Sequence, residues 1–130
     1  MKIGKLTLIN PSDILIVDFG SSTIKSHVKG RHPAIVVNVD DPRALNSRIM
    51  VIPIFRNPSY RGGDTDIEIK PLHCNGLRYT EYANPSNIQV VERYRVIRKI
   101  GHMKNADTRE RLNRALAETM FGGKAGDNNG

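Results

Sequence analysis

Cysteine is nearly absent: Cys74 stands alone among 130 residues. A disulfide framework inside the chain is therefore excluded, and a reducing cytoplasm is the expected compartment, although a disulfide-free secreted protein would share the feature. No run approaches the roughly 20 apolar residues that cross a bilayer, so membrane insertion is not expected. The clean apolar run at residues 14–17 is too short for the core of a secretory signal, and Asp13 precedes it. Metal-ligand spacing is missing as well. His27, His32, His73, His102 and Cys74 form no Cys-x-x-Cys or His-x-x-x-His pair, so neither metal nor cofactor is expected. Gly62-Gly63 alone makes no phosphate-binding loop, and the chain shows no internal repeat or low-complexity tract.

What is present describes a folded protein. Hydrophobic residues make up 38% and charged residues 25% of the chain, enough for one core-bearing domain, expected over residues 1–123. Residues 124–130 lack apolar side chains and are expected to form a disordered tail. Lys and Arg number 20 against 13 acids, a formal charge of +7. In a domain of this size that excess favours a polyanionic partner, most commonly nucleic acid.

Short strands dominate the pattern. Residues 13–19, 34–39 and 49–54 are apolar, β-branched runs of the kind buried on both faces. Pro53 cannot donate to a ladder, so an edge or a bulge is expected there. Residues 66–70 alternate polar and apolar, and 88–97 read as a further strand with a charged middle. Residues 6–9 fit an outer strand. Breaker clusters such as Gly20-Ser21-Ser22-Thr23, Asp40-Asp41-Pro42 and Asn84-Pro85-Ser86-Asn87 separate the runs. Many short strands with polar turns point to a barrel or sandwich. One helix follows, with Asp107 as N-cap, Glu110 three residues later, and Gly122-Gly123 as its stop. Leu112, Ala115, Leu116, Thr119 and Met120 share its apolar face, which suits a lid on the barrel.

The order of the pieces carries a resemblance. Asp13-Ile-Leu-Ile-Val-Asp-Phe-Gly20 is followed by Ser26-His-Val-Lys-Gly-Arg-His-Pro33 and Ala34-Ile-Val-Val-Asn38. Further on come Val51-Ile-Pro-Ile54 and Ile88-Gln-Val-Val-Glu-Arg-Tyr-Arg-Val-Ile-Arg-Lys-Ile-Gly101. Taken together these resemble the MazF/PemK/Kid toxins over residues 12–121. The resemblance implies a mainly β fold, a small SH3-like barrel of the CcdB/PemK type with a C-terminal α-helix. It also implies a homodimer, a cognate acidic antitoxin, and sequence-specific endoribonuclease activity on single-stranded RNA. The chain departs from the family pattern in four places. The arginine before proline falls at His32, with Arg31 one place upstream, and the Glu-Gln pair becomes His27-Val28. The threonine or serine closing the later strand falls at Phe55, and Gln-x-Arg becomes Asn87-Ile88-Gln89.

Metal-free RNA cleavage uses the RNA 2′-hydroxyl as nucleophile and needs a base, an acid, and positive charge for the phosphorane. Histidine serves either proton role near neutral pH, and arginine is a fixed cation matched to phosphate. Lys29-Gly30-Arg31-His32-Pro33 sets both types side by side, which makes Arg31 and His32 the leading catalytic candidates. The resemblance favours His32 as the aligned group, and the chemistry favours Arg31 as the cation. Strand alternation would aim them to opposite faces unless Gly30 bends the chain. His27 is the candidate second proton-transfer group. Lys29, Arg56, Asn57, Ser59, Tyr60 and Arg61 are candidate RNA-binding residues, arginine for phosphate and tyrosine for base stacking. Asn87 and Gln89 are candidates for reading base edges. Two other readings fit: a gyrase-poisoning or catalytically degenerate relative that binds without cutting, and an unrelated basic SH3-like nucleic-acid-binding module.

Overall fold

A computed structural model describes residues 8–21, 28–44, 46–57, 66–72 and 74–121. Its elements are β1 (Asp13–Asp18), β2 (Arg31–Val39), β3 (Arg48–Phe55), β4 (Ile67–Ile69), β5 (Glu81–Ala83), β6 (Gln89–Glu92), β7 (Val96–His102) and α1 (Ala106–Phe121). The expected Gly122-Gly123 stop, residues 6–7 of the outer strand and the tail lie outside the described residues. Leu8 and Ile9 carry no strand, although Ile9 is fully buried.

The apolar runs of β1, β2 and β3 are continuous because each strand is covered on both faces. Leu15, Val17, Ala34, Val36, Ile49 and Val51 pack to one side with Val96 of β7. Their neighbours Ile14, Ile35, Ile52 and Ile54 pack to the other, against Ile67, Ile69, Met103 and the helix residues Leu112 and Leu116. Each such burial contributes about 1.5–3 kcal/mol, so both layers stabilise the sheet.

All pairings are antiparallel, in the order β4-β5-β3-β2-β1-β7, with β6 on β3. The expected single strand over 88–97 is two strands. Its charged middle, Arg93–Arg95, is a 3-10 turn that carries the chain from the edge of β3 to the edge of β1 and so closes the SH3-like ring. Arg93 holds that corner. Its side chain is buried, its Nη1 donates to the Pro42 carbonyl at 2.8 Å, and its backbone N–H donates to the Ser47 carbonyl at 3.2 Å. Pro53 sits in an interior strand, not at an edge. It is tolerated because β6 pairs with β3 up to Val51 and β5 takes over at Ile54, leaving Pro53 partnered on the β2 side alone. The bulge falls elsewhere, on β2 between Val36 and Asn38. Phe19, expected as the last residue of the first strand, lies just past it.

One turn fixes what β7 carries. Asn75 is buried, its Oδ1 accepting from the Leu72 and Leu77 backbones at 3.2 and 3.0 Å while Nδ2 donates to the Lys70 carbonyl at 3.0 Å. The resulting loop lies directly on β7, where the His102 N–H donates to the Cys74 carbonyl at 2.8 Å. Gly76 has φ +74°, and a Cβ there would meet the Ile100 carbonyl oxygen at 2.3 Å. Gly76→Ala is therefore expected to cost about 3 kcal/mol, from left-handed backbone strain plus an unrelieved backbone clash. A urea unfolding curve would show it, and an unchanged midpoint would contradict the packing described.

At the start of β1, Asp13 is buried and gathers several donors. Its Oδ1 meets His102 Nδ1 at 2.8 Å, and its Oδ2 accepts from Lys99 Nζ at 3.1 Å and from the Asn10 N–H at 2.8 Å. Helix α1 is capped by Asn105 and not by Asp107: the Asn105 Oδ1 accepts from the Thr108 N–H at 3.1 Å. Leu112 and Leu116 face the core and Ala115 is half-buried, whereas Thr119 and Met120 are exposed. The apolar stripe thus ends a turn before the spacing suggested.

Candidate functional site

The chain just after β1 is tied to the chain just before β2. The Phe19 N–H donates to the Gly30 carbonyl at 2.8 Å, and the Gly30 N–H donates to the Gly20 carbonyl at 2.7 Å. Both glycines have positive φ, +77° at Gly20 and +72° at Gly30, a conformation that L side chains rarely adopt. The chain therefore enters β2 at Arg31, earlier than the apolar run alone suggests, and Arg31 and His32 are strand residues opposite Asp18 and Val17.

Beside them opens a cleft of about 840 Å³ where the ends of β2, β3 and β5 meet β7 and the loop after Gly76. Arg31 and His32 both line it, although strand alternation sets neighbouring side chains apart. Arg31 is the first residue of its strand and exposed, beside the left-handed bend at Gly30, so alternation constrains it little. The His32 ring is half-buried, 5.0 Å from the Phe55 ring and 6.5 Å from that of Phe19. Where the resemblance implies a hydroxyl, Phe55 supplies an aromatic wall that orients the imidazole.

Arg56 follows β3 and lies over the ring of Tyr79, its guanidinium carbon 3.9 Å from the centroid, a cation–π contact. Both are exposed on the cleft wall. Phe55 stands opposite Tyr82 in the β3–β5 register, which carries Arg56 toward Glu81. Glu81 is a buried residue, and burial pushes its pKa above the ordinary glutamate value while the Arg56 charge acts to lower it. Asp66 accepts from Asn84 Nδ2 at 3.0 Å, and the Asn84 Oδ1 caps the 3-10 turn Pro85–Asn87 through the Ser86 N–H. That cap sets Asn87 on the rim. With Arg78 and Arg98 the cleft carries four arginines against Asp66 and Glu81, an arrangement that attracts phosphate.

Of the residues singled out from the sequence, Arg31, His32, Arg56, Asn57 and Asn87 share this cleft. Lys29 and Gln89 do not line it, Gln89 being paired opposite Val51 in β6. His27, Ser59, Tyr60 and Arg61 lie outside the described residues. The sequence reading missed Tyr79, Glu81 and Arg98. An arginine and an aromatic flanking a glycine turn was a usable signal for Tyr79; a glutamate inside a three-residue strand gives none. Among the described residues, no group of three His, Cys, Asp or Glu side chains is placed to hold a metal ion.

The family model for PemK-like, MazF-like toxins of type II toxin–antitoxin systems matches residues 10–120. The chain belongs to this family. Among solved structures it is similar to the MazF-mt6 toxin of Mycobacterium tuberculosis, with TM-score 0.60 and 19% identity over 84% of this chain and 96% of that one. It is similar to MazF of Deinococcus radiodurans, with TM-score 0.65 and 13% identity over 88% and 97% of the two chains. A mycobacterial endoribonuclease in complex with its cognate antitoxin gives TM-score 0.64 and 17% identity over 89% and 96%. A sequence comparison with curated proteins finds no match. At these identities the PemK/MazF neighbours share the fold, and the identity of the working groups rests on the cleft of this chain. Among the described residues, no helix is long and apolar enough to cross a membrane.

Proposed function

We propose that this PemK/MazF-type toxin is a single-domain, metal-independent, sequence-specific endoribonuclease acting on single-stranded RNA. Its partners are a second copy of itself and an acidic antitoxin, consistent with its basic charge and with the antitoxin complexes known for similar structures. The observation that carries the reading is the presence of Arg31 and His32 together in one arginine-lined cleft. His32, oriented by Phe19 and Phe55, takes the proton of the 2′-hydroxyl, while Arg31 and Arg56 hold the phosphate whose charge grows in the transition state. Tyr79, with a face toward solvent, offers a platform for a base next to the cut.

The test is incubation of purified protein with a long single-stranded RNA in EDTA. Discrete fragments ending in cyclic phosphate are the expected result. Intact RNA, at a protein concentration where binding is measurable, would overturn the enzymatic reading and leave a toxin that acts by binding.

A further inference from the structure

Glu81 has no part in the chemistry outlined above, yet it is the least ordinary group in the cleft. It lines the wall at 7% exposure, and among the described residues no hydrogen bond or ion pair holds its side chain. A carboxyl in that position gives up part of its water to the cleft wall with no donor in exchange, whereas a structural carboxylate such as Asp13 recruits several. Burial favours the proton-carrying form. The titratable groups sharing the cleft include Arg31 and His32 from β2, Arg56 after β3, Asp66 ahead of β4, Arg78 from the loop before β5, and Arg98 on β7. A phosphate held by these arginines offsets the one charge that opposes protonation, that of Arg56, and so favours the neutral acid further.

We propose that Glu81 is the general acid of RNA cleavage, delivering its proton to the departing 5′ oxygen; this rests on the reading of the chain as a metal-independent ribonuclease. His32 accepts the 2′-hydroxyl proton as the O2′–P bond forms. The P–O5′ bond breaks, its electron pair leaves on O5′, and O5′ takes the Glu81 proton. The products are a 2′,3′-cyclic phosphate and a 5′-hydroxyl. Glu81 is left as carboxylate and His32 as imidazolium, and proton exchange with water restores both. Two groups with separated roles, one base and one acid, are what transesterification near neutral pH requires.

The test compares wild type with Glu81→Gln on two single-stranded oligoribonucleotides containing one mapped cleavage site. One has the natural 5′ oxygen at the cut, and the other has sulfur there, which departs as a thiolate without needing a proton. Under single-turnover conditions, Glu81→Gln should lower cleavage of the oxygen substrate by about 100-fold or more, and cleave the sulfur substrate within about threefold of wild type. Equal losses on both substrates would overturn the proposal, showing that Glu81 supports the site or reads a base; so would no loss on either. Should the variant fail to fold by circular dichroism, wild type alone decides. An alkaline fall in rate with the oxygen substrate that disappears with sulfur upholds the acid, and the same fall with both overturns it. Failure of wild type to cut the oxygen substrate would instead sink the ribonuclease reading itself, before any variant is compared.

Discussion

Replacing His32 by alanine is expected to lower RNA cleavage by about 100- to 10,000-fold, the usual contribution of a positioned proton-transfer group. The imidazole is held between Phe19 and Phe55 at the head of the cleft, so its loss removes the only histidine among the described cleft residues. His32→Gln should be nearly as inactive while better filling the space between the rings, which separates lost chemistry from lost packing. Arg31→Ala is expected to cost about 100-fold or more by removing charge stabilisation from the transition state. Arg31 is exposed and opens its strand, so that variant should unfold at the wild-type urea concentration. Initial rates on a mapped RNA, read beside unfolding curves, check both expectations. A His32→Gln variant that cuts at the wild-type rate would remove His32 from the mechanism.

Asp13→Ala is expected to be the most damaging substitution outside the cleft, destabilising the fold by about 3 kcal/mol. Its carboxylate joins Asn10, Lys99 and His102, tying the segment before β1 to β7. Truncation leaves the Asn10 N–H without its acceptor and two potential cations without a counter-charge. Lys99 and His102 are partly exposed and can turn to water, which keeps the figure below that for a fully buried triad. Lys99→Ala, by the same argument, should cost only about 1 kcal/mol. Because Asp13 and the cleft lie at opposite ends of β1, the folded fraction of Asp13→Ala should retain wild-type cleavage. A shift in urea midpoint without a change in slope is the expected record, and an unmoved midpoint would contradict it.

How much of this was legible in the sequence depended on whether a feature is local. The runs in β1, β2 and β3 were readable because burial on both faces leaves an unbroken apolar signature, as Ile14 and Leu15 show by packing to opposite sides. The strand pair β6 and β7 was not. Arg93 reads as a solvent residue, and its bonds to the distant Pro42 and Ser47 carbonyls make it a buried corner. The helix cap was assigned to Asp107 and not to Asn105 because Asp107 has Glu110 three residues later, although asparagine caps as well. In the cleft, Arg31 and His32 were visible because two chemically useful residues stand together beside Gly30. Glu81 and Arg98 were not, since strand pairing brings them to the cleft across the chain and neither has a distinguishing neighbour.

The closure of β7 onto β1 has a temporal consequence. Asp13 and His102 meet from 89 positions apart, and Arg98 reaches the cleft only on the strand that seals the ring. Such non-local pairing makes folding slow for the size of the domain, because loop-closure entropy must be met before the contacts reward it. At translation speeds of about 5–20 residues per second, the first strand waits several seconds at the ribosome for its partner. A nascent chain therefore carries Arg31 and His32 long before it has a cleft to hold them.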